Sequence, residues 1–235
     1  MIFRQLVEPQ SSTYTYLVAC RERREAVLID PVDETVDRDL ALIEELGLSL
    51  KYTIETHIHA DHVTGAARLR HETGCRAAFP EKSGAAHADL SVREGDPIAV
   101  GKLTIEPIYT PGHTDDHHAY FVRSSGGARV FTGDALMIDG CGRTDFQNGD
   151  PATLYRSVHE KIFTLPEDTL VYPGHDYQQR RVSTVAQEKA RNPRLGGGKT
   201  VEEFVAIMNG LDLPRPKKMD IAVPANLRCG AVQVA

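Results

Sequence analysis

A chain of 235 residues is long enough to bury a sizeable core as one large unit or two small ones. Its 33 acidic and 27 basic side chains leave a formal charge of −6, which argues against a general affinity for nucleic acid or anionic lipid. Although 41% of the residues are hydrophobic, no apolar run approaches the roughly 20 residues of a membrane span, so no membrane association is expected.

The chain opens with three strand-like runs, IFRQLVE, TYTYLVA and EAVLID, separated by polar turns. MIFRQLVEPQ has neither the layout of a signal peptide nor an Arg/Ser-rich transit character, so an unprocessed cytoplasmic protein of bacterial type is expected, with an organelle matrix as the alternative. Val36, Leu40, Ile43 and Leu46 recur at helical spacing, and Gly47 follows as a stop. The strand-like KYTIET runs into ETHIHADHVTGA, and from Asp61 the pattern turns helical towards a C-cap at Gly74. KLTIEPIY, HAYFV and ARVFTG read as further strands. PATLYRSVHEKIF, TLVYPG, QRRVSTVAQEKAR and VEEFVAIMNGL then mix helical and strand patterns. The Pro-bearing LPRPKK and VPAN predict an extended tail over the surface. With no fixed repeat and no long linker, a layered α/β sandwich in a single domain over residues 1–235 is expected.

Chemistry concentrates where strands end. HIHADH places His57, His59, Asp61 and His62 within six positions, directly after KYTIET. YTPGHTDD adds His113, FTGDAL adds Asp134, and VYPGHDY adds His175, each after an apolar run and in a turn containing Gly or Pro. Imidazole nitrogens and carboxylates are the usual ligands of Zn and Fe, and several converging on one sheet edge make a metal site. His117 and His118 are expected to begin a strand rather than to ligate. Cys20, Cys75, Cys141 and Cys229 lie far apart with no C-x-x-C pair, so reduced thiols are expected, with Cys141 a small buried side chain. GGGKT lacks the first Gly of a phosphate loop, because Pro193 stands in its place, and reads as a loop between helices.

In order and spacing these motifs resemble the metallo-β-lactamase superfamily, which implies a four-layer αββα sandwich with its metal site along one sheet edge. GDALMIDGCGRTDFQNGD, SVHEKIFTLPEDTLVYPGHDY, VSTVAQEKARNPRL and VPANLRCG resemble one branch, the persulfide dioxygenases. That resemblance implies oxidation of the outer sulfur of glutathione persulfide by dioxygen to sulfite, with release of glutathione. One Fe(II) per chain would be held by His57, His113 and Asp134, with His59, Asp61, His62 and His175 around that set. Arg143, Tyr177 and Arg228 are the expected substrate contacts, with an Arg143–Asp145 pair as the structural alternative for the first. A homodimer rests on the same resemblance.

Spacing leaves a second arrangement open, that of the glutathione thioester hydrolases (glyoxalase II). There two Zn ions would divide the donors: His57, His59 and His113 for one, Asp61, His62 and His175 for the other, with Asp134 bridging. Those hydrolases usually carry a longer helical C-terminal domain. A flavodi-iron relative would carry Glu in place of His59. A non-catalytic metal-binding module is the alternative of another class, and it would fill the coordination completely.

Overall fold

A computed structural model describes residues 1–231; residues 232–235, the end of the unit expected over 1–235, lie outside the described residues. One sheet has the order β1 (Ile2–Glu8), β2 (Thr13–Ala19), β3 (Glu25–Ile29), β4 (Ser49–Ile54), β5 (Arg76–Pro80), β6 (Leu90–Val92). The other is built from β7 (Ile98–Val100), β8 (Leu103–Tyr109), β9 (His118–Ser124), β10 (Gly127–Gly133), β11 (Leu170–Pro173) and β12 (Ser183–Thr184), each beside its chain neighbour. Strands β3 to β6 run parallel, as do β10 and β11, while the remaining pairs are antiparallel. The helices are α1 (Val36–Glu45), α2 (Ala66–Thr73), α3 (Pro151–Ser157), α4 (Val185–Arg191), α5 (Val201–Asn209) and α6 (Met219–Asn226).

The alternation of side chains along each strand sorts them into layers. Tyr14, Tyr16, Val18, Val27, Ile29 and Ile54 face Ile105, Tyr120, Val122 and Phe131 across the space between the sheets. The intervening residues point outward to helices: Leu17, Ala26 and Leu28 pack with Val36, Ile43 and Leu69 of α1 and α2. On the opposite side Phe121, Val130 and Val171 meet Leu154, Val185 and Phe204 of α3, α4 and α5. Both faces of both sheets are covered, which is why TYTYLVA is buried at every position instead of alternating between buried and exposed. The four layers are the expected αββα sandwich.

Several expected elements differ in extent. The helix expected from Asp61 starts only at Ala66, because the preceding backbone is bound elsewhere: Asp33 N–H donates to the Val63 carbonyl and Gly65 N–H to that of Pro31. In QRRVSTVAQEKAR the helix begins at Val185, capped by Thr184, which also pairs in β12. PATLYRSVHEKIF forms α3 and then one π turn over Val158–Ile162. VPAN is not extended. It lies inside α6 with Pro224 within the helix, whose first turn is closed by the Ala222 N–H to Lys218 carbonyl bond at 2.7 Å. Pro224 forfeits one helical donor, while the buried faces of Ala222 and Ala225, packed with Val63, retain the helix. GGGKT joins α4 to α5 and ends in a capping box at Thr200, as a loop between helices should.

What matters for chemistry is the edge where β4, β8, β10 and β11 stop. The chain reaches His57 after β4, His113 after β8, Asp134 after β10 and His175 after β11. The two sheets are stitched together there, since Tyr14 N–H donates to the Gly174 carbonyl (2.8 Å) and His118 N–H to that of Thr56 (2.7 Å).

Candidate metal centre

Hydrogen bonds prepare three donors for a cation. Asp30, held at a left-handed φ of 50° at the end of β3, accepts from the Thr56 N–H (2.7 Å) and hydroxyl (3.0 Å). With its proton committed there, the Thr56 Oγ1 accepts from His57 Nδ1 at 2.9 Å, which leaves the His57 Nε2 lone pair free. His113 Nδ1 donates to the Arg143 carbonyl at 2.6 Å, again freeing Nε2. Asp134 accepts from His175 Nδ1 on one oxygen (2.7 Å), and its other oxygen lies 3.6 Å from His113 Nε2. One donor atom from each of His57, His113 and Asp134 falls within 4.8 Å of the other two.

Their protonation also suits a metal. Burial, reinforced by the charges of His59 and His113, drives the His57 pKa well below the ordinary imidazole value, so the ring is neutral. Burial alone would raise Asp134, but the charge and hydrogen bond of His175, with His113 adding to them, bring it down to about 2. A neutral His57 imidazole and an ionised Asp134 carboxylate are the deprotonated forms that ligation requires. The residues present fit a metal ion.

The other four expected donors lie at the same edge. His59, Asp61 and His62 also bring donor atoms within 4.8 Å of one another. Burial opposes a charge on His59, yet Asp30 at 3.2 Å and Glu55 at 3.4 Å on its Nε2 lift its pKa well above the usual value. His59 Nδ1 and His62 Nε2 are buried with no hydrogen-bond partner. His175 is clamped between carboxylates, Nδ1 to Asp134 at 2.7 Å and Nε2 to Asp61 at 3.0 Å. Burial works against its charge, but the two carboxylates raise its pKa well above the ordinary value, so both nitrogens donate.

His118 begins β9, the strand start expected there, and His117 directly precedes it. His117 Nδ1 donates to Thr110 Oγ1 (2.9 Å), while its Nε2 accepts from the Asp134 N–H (3.1 Å). The ring therefore fixes the backbone of a metal-site carboxylate, a role its sequence position did not announce. Asp30, Thr56 and Asp116, whose carboxylate accepts from the Ile58 N–H at 3.0 Å, were also missed. Each lies next to a strand end, and the only local hints of a constrained backbone are Pro31 after Asp30 and Pro111–Gly112 before Asp116.

The donors open into a cavity of about 880 Å³. Its far walls include Gly140 to Arg143, Tyr177 and the segment Leu213 to Lys218. Tyr177 is 75% exposed at the mouth, its ring 6.2 Å from that of His175. Arg228 is half-buried and does not line this cavity. Arg143 does line it, but its guanidinium forks onto Asp145 (2.6 and 2.7 Å) and donates to the Pro214 carbonyl (2.7 Å). It thus secures one wall against another. Arg143→Ala should loosen the Leu213–Lys218 wall and raise the substrate KM about tenfold with little change in kcat, a cost of about 1.4 kcal/mol. Arg143→Lys should not restore it, since an ammonium cannot make the fork. Steady-state kinetics check this, and an unchanged KM in both variants would refute it.

The family profile described as the metallo-beta-lactamase superfamily matches residues 9–175. A mitochondrial persulfide dioxygenase ETHE1 of Mus musculus is 54% identical over 231 residues, covering 98% of this chain and 89% of that protein. The crystal structure of ETHE1 from Myxococcus xanthus superposes with a TM-score of 0.94 at 52% identity, covering 98% of this chain and 100% of that one. A hydroxyacylglutathione hydrolase of a Polaromonas species is 38% identical over 179 residues, 74% of this chain and 66% of that protein. With the four layers, the edge site and these near full-length likenesses together, the chain belongs to the metallo-β-lactamase superfamily and, within it, to the persulfide dioxygenase family.

Proposed function

We propose that this chain oxidises the outer sulfur of glutathione persulfide with dioxygen, giving sulfite and glutathione, at one Fe(II) held by His57, His113 and Asp134. Its family makes it a metal-dependent enzyme of the persulfide dioxygenase kind. The observation that carries the single-metal reading is the set His57, His113 and Asp134, whose donor atoms lie within 4.8 Å of one another, in a chain 54% identical over 98% of its length to a persulfide dioxygenase. A two-His, one-carboxylate set that leaves positions open is the ligand pattern of non-heme Fe(II) oxygenases. When bound, the iron supplies the redox chemistry between sulfur and dioxygen. The protein supplies orientation: Thr56, Arg143 and His175 fix the ring and carboxylate geometry of the ligands.

A glutathione moiety brings two carboxylates, and the cavity meets them with cations. Arg143, Arg180, Arg215 and Lys218 are already paired with Asp145, Asp176, Asp220 and Glu34. Lys217 and Arg194 line the same cavity with no carboxylate partner among the described residues. They are the substrate-facing charges, Lys217 from the exposed wall and Arg194 from beside the Cys141 carbonyl at 2.9 Å. Lys217→Ala should raise the KM for glutathione persulfide about threefold to tenfold with kcat unchanged, as loss of a partly solvated charge pair predicts. Equal loss in kcat would mean that the lysine acts elsewhere.

One observation favours a second reading. The buried His62 Nε2 has no hydrogen-bond partner, while its Nδ1 donates to Asp61 at 3.0 Å, so its lone pair is available to another ion, as a two-zinc thioester hydrolase would need. A non-catalytic metal module would fill its coordination, whereas this site opens on a cavity. Equilibrium titration of the metal-free protein separates these cases. Saturation at one Fe(II) per chain supports the dioxygenase, and uptake of two Zn(II) with equal avidity would transfer the site to hydrolysis. The proposal includes a homodimer and a reducing cytoplasm, in keeping with four free, buried cysteines.

A further inference from the structure

The VPAN segment has an unusual partner. Residues 57–64, which carry His57, His59, Asp61 and His62, form no helix or strand, so apart from the Asp33 N–H bond to the Val63 carbonyl and an isolated bridge of Thr64 to Val32, side chains satisfy their buried backbone groups. Two come from nearby in space: Asp116 accepts from the Ile58 N–H (3.0 Å) and Gln147 donates to the Ile58 carbonyl (2.7 Å). The other three all go to one residue. Asn226, 1% exposed at the end of α6, donates to the carbonyls of His59 and His62, and its side-chain oxygen accepts from the Thr64 N–H, each at 2.9 Å. Both amide protons and the carbonyl oxygen of this side chain are thereby used, across 162 to 167 positions of sequence.

The contact is held from both sides. Gly230, at φ +85°, lies so close that a Cβ there would come within 2.3 Å of the Thr64 carbonyl. The Leu227 carbonyl accepts from the Ala86 N–H (2.7 Å), tying the end of α6 to the far side of its sheet. Thr64 in turn donates its hydroxyl to Glu55 at 2.6 Å, and Glu55 faces His59. Inside the fold, then, the C-terminal helix is the outer wall of the metal loop.

We propose that Asn226 is a positioning residue for the metal centre: it holds the backbone of the His57–Thr64 loop in the shape that presents the donors. This rests on the loop's role in binding metal and not on which ion fills the site. Asn226→Asp keeps side-chain volume and the acceptor for Thr64 but removes both donors and sets a carboxylate against two carbonyls. Asn226→Ala removes all three contacts. Ile221→Gly, at an exposed position of α6, weakens the same helix without touching the loop.

Two measurements on the full chain test the proposal. Hydrogen exchange on metal-free protein should show amides 58–64 exchanging at least about tenfold faster in both Asn226 variants, and unchanged in Ile221→Gly. Chelator competition with Fe(II), and separately with Zn(II), should show affinity weakened about 10- to 100-fold in the Asn226 variants alone, as for other groups that orient ligands. Exchange like that of the unaltered protein in the Asn226 variants would overturn the inference. So would a loosened loop with unchanged affinity for both ions, or an equal loss of affinity in Ile221→Gly. None of these readouts involves persulfide turnover, so a failure here is distinct from a failure of the dioxygenase assignment.

Discussion

Asp134→Ala is expected to lose bound metal and turnover together. The substitution removes the only carboxylate of the His57, His113 and Asp134 set and leaves the imidazoles of His57, His113 and His175 around the cavity with less compensating charge. It also frees one side of the His175 clamp, so that ring can turn from its fixed position between Asp134 and Asp61. Groups that merely orient a ligand cost about 10- to 100-fold in metal affinity when removed, and a ligand itself should cost more than that. A fall in kcat/KM of at least about 1000-fold, some 4 kcal/mol of transition-state stabilisation, is the expected scale. His113→Ala should match it. Metal content by elemental analysis, measured with dioxygen uptake on the same sample, checks both variants. Full activity in a metal-free Asp134→Ala protein would remove Asp134 from the ligand set.

Gly133→Ala should be among the most damaging single-methyl additions. Gly133 ends β10 at φ +48°, where alanine is strained by about 1 kcal/mol. The added Cβ would sit 2.6 Å from His117 Nε2 and 2.8 Å from Thr56 Oγ1, both buried and both already hydrogen-bonded. Neither atom is the free end of a flexible chain, so overpacking adds roughly 1–3 kcal/mol. The expected total of about 2–4 kcal/mol corresponds to a fall in Tm of roughly 5–15 °C for a protein of this size. The damage is also functional, because Thr56 orients His57 while His117 fixes the backbone of Asp134. Scanning calorimetry and metal content should therefore fall together. Unchanged Tm and full metal occupancy would show that the backbone shifts to make room.

The metal-bearing edge was legible because each donor directly follows a strand whose apolar run is plain in the sequence. His57, His113, Asp134 and His175 all emerged where those runs stop. Two-sided burial made strands such as TYTYLVA strong signals. Three-residue β6 and β7 and two-residue β12 carry too few side chains to show any period. The tail misled because proline normally argues for extension, while α6 is retained by packing that only the tertiary fold provides. Asp30, His117 and Asn226 act through backbone groups distant in sequence, and no spacing rule announces such a partner. Arg143 shows the limit differently: its neighbour Asp145 was visible, but which of pairing and substrate contact prevails depends on the Leu213–Lys218 wall that folds over it. The number of metals was illegible in principle, since the same seven side chains serve either arrangement.

The measurement that bears most directly on the central claim is dioxygen uptake by protein carrying one Fe(II) per chain, on adding glutathione persulfide, with sulfite assayed in the same vessel. One sulfite formed for each dioxygen consumed, with glutathione released in step, is the predicted result. No uptake, combined with release of glutathione from lactoylglutathione by protein carrying two Zn(II) per chain, would contradict it and make the site a hydrolase.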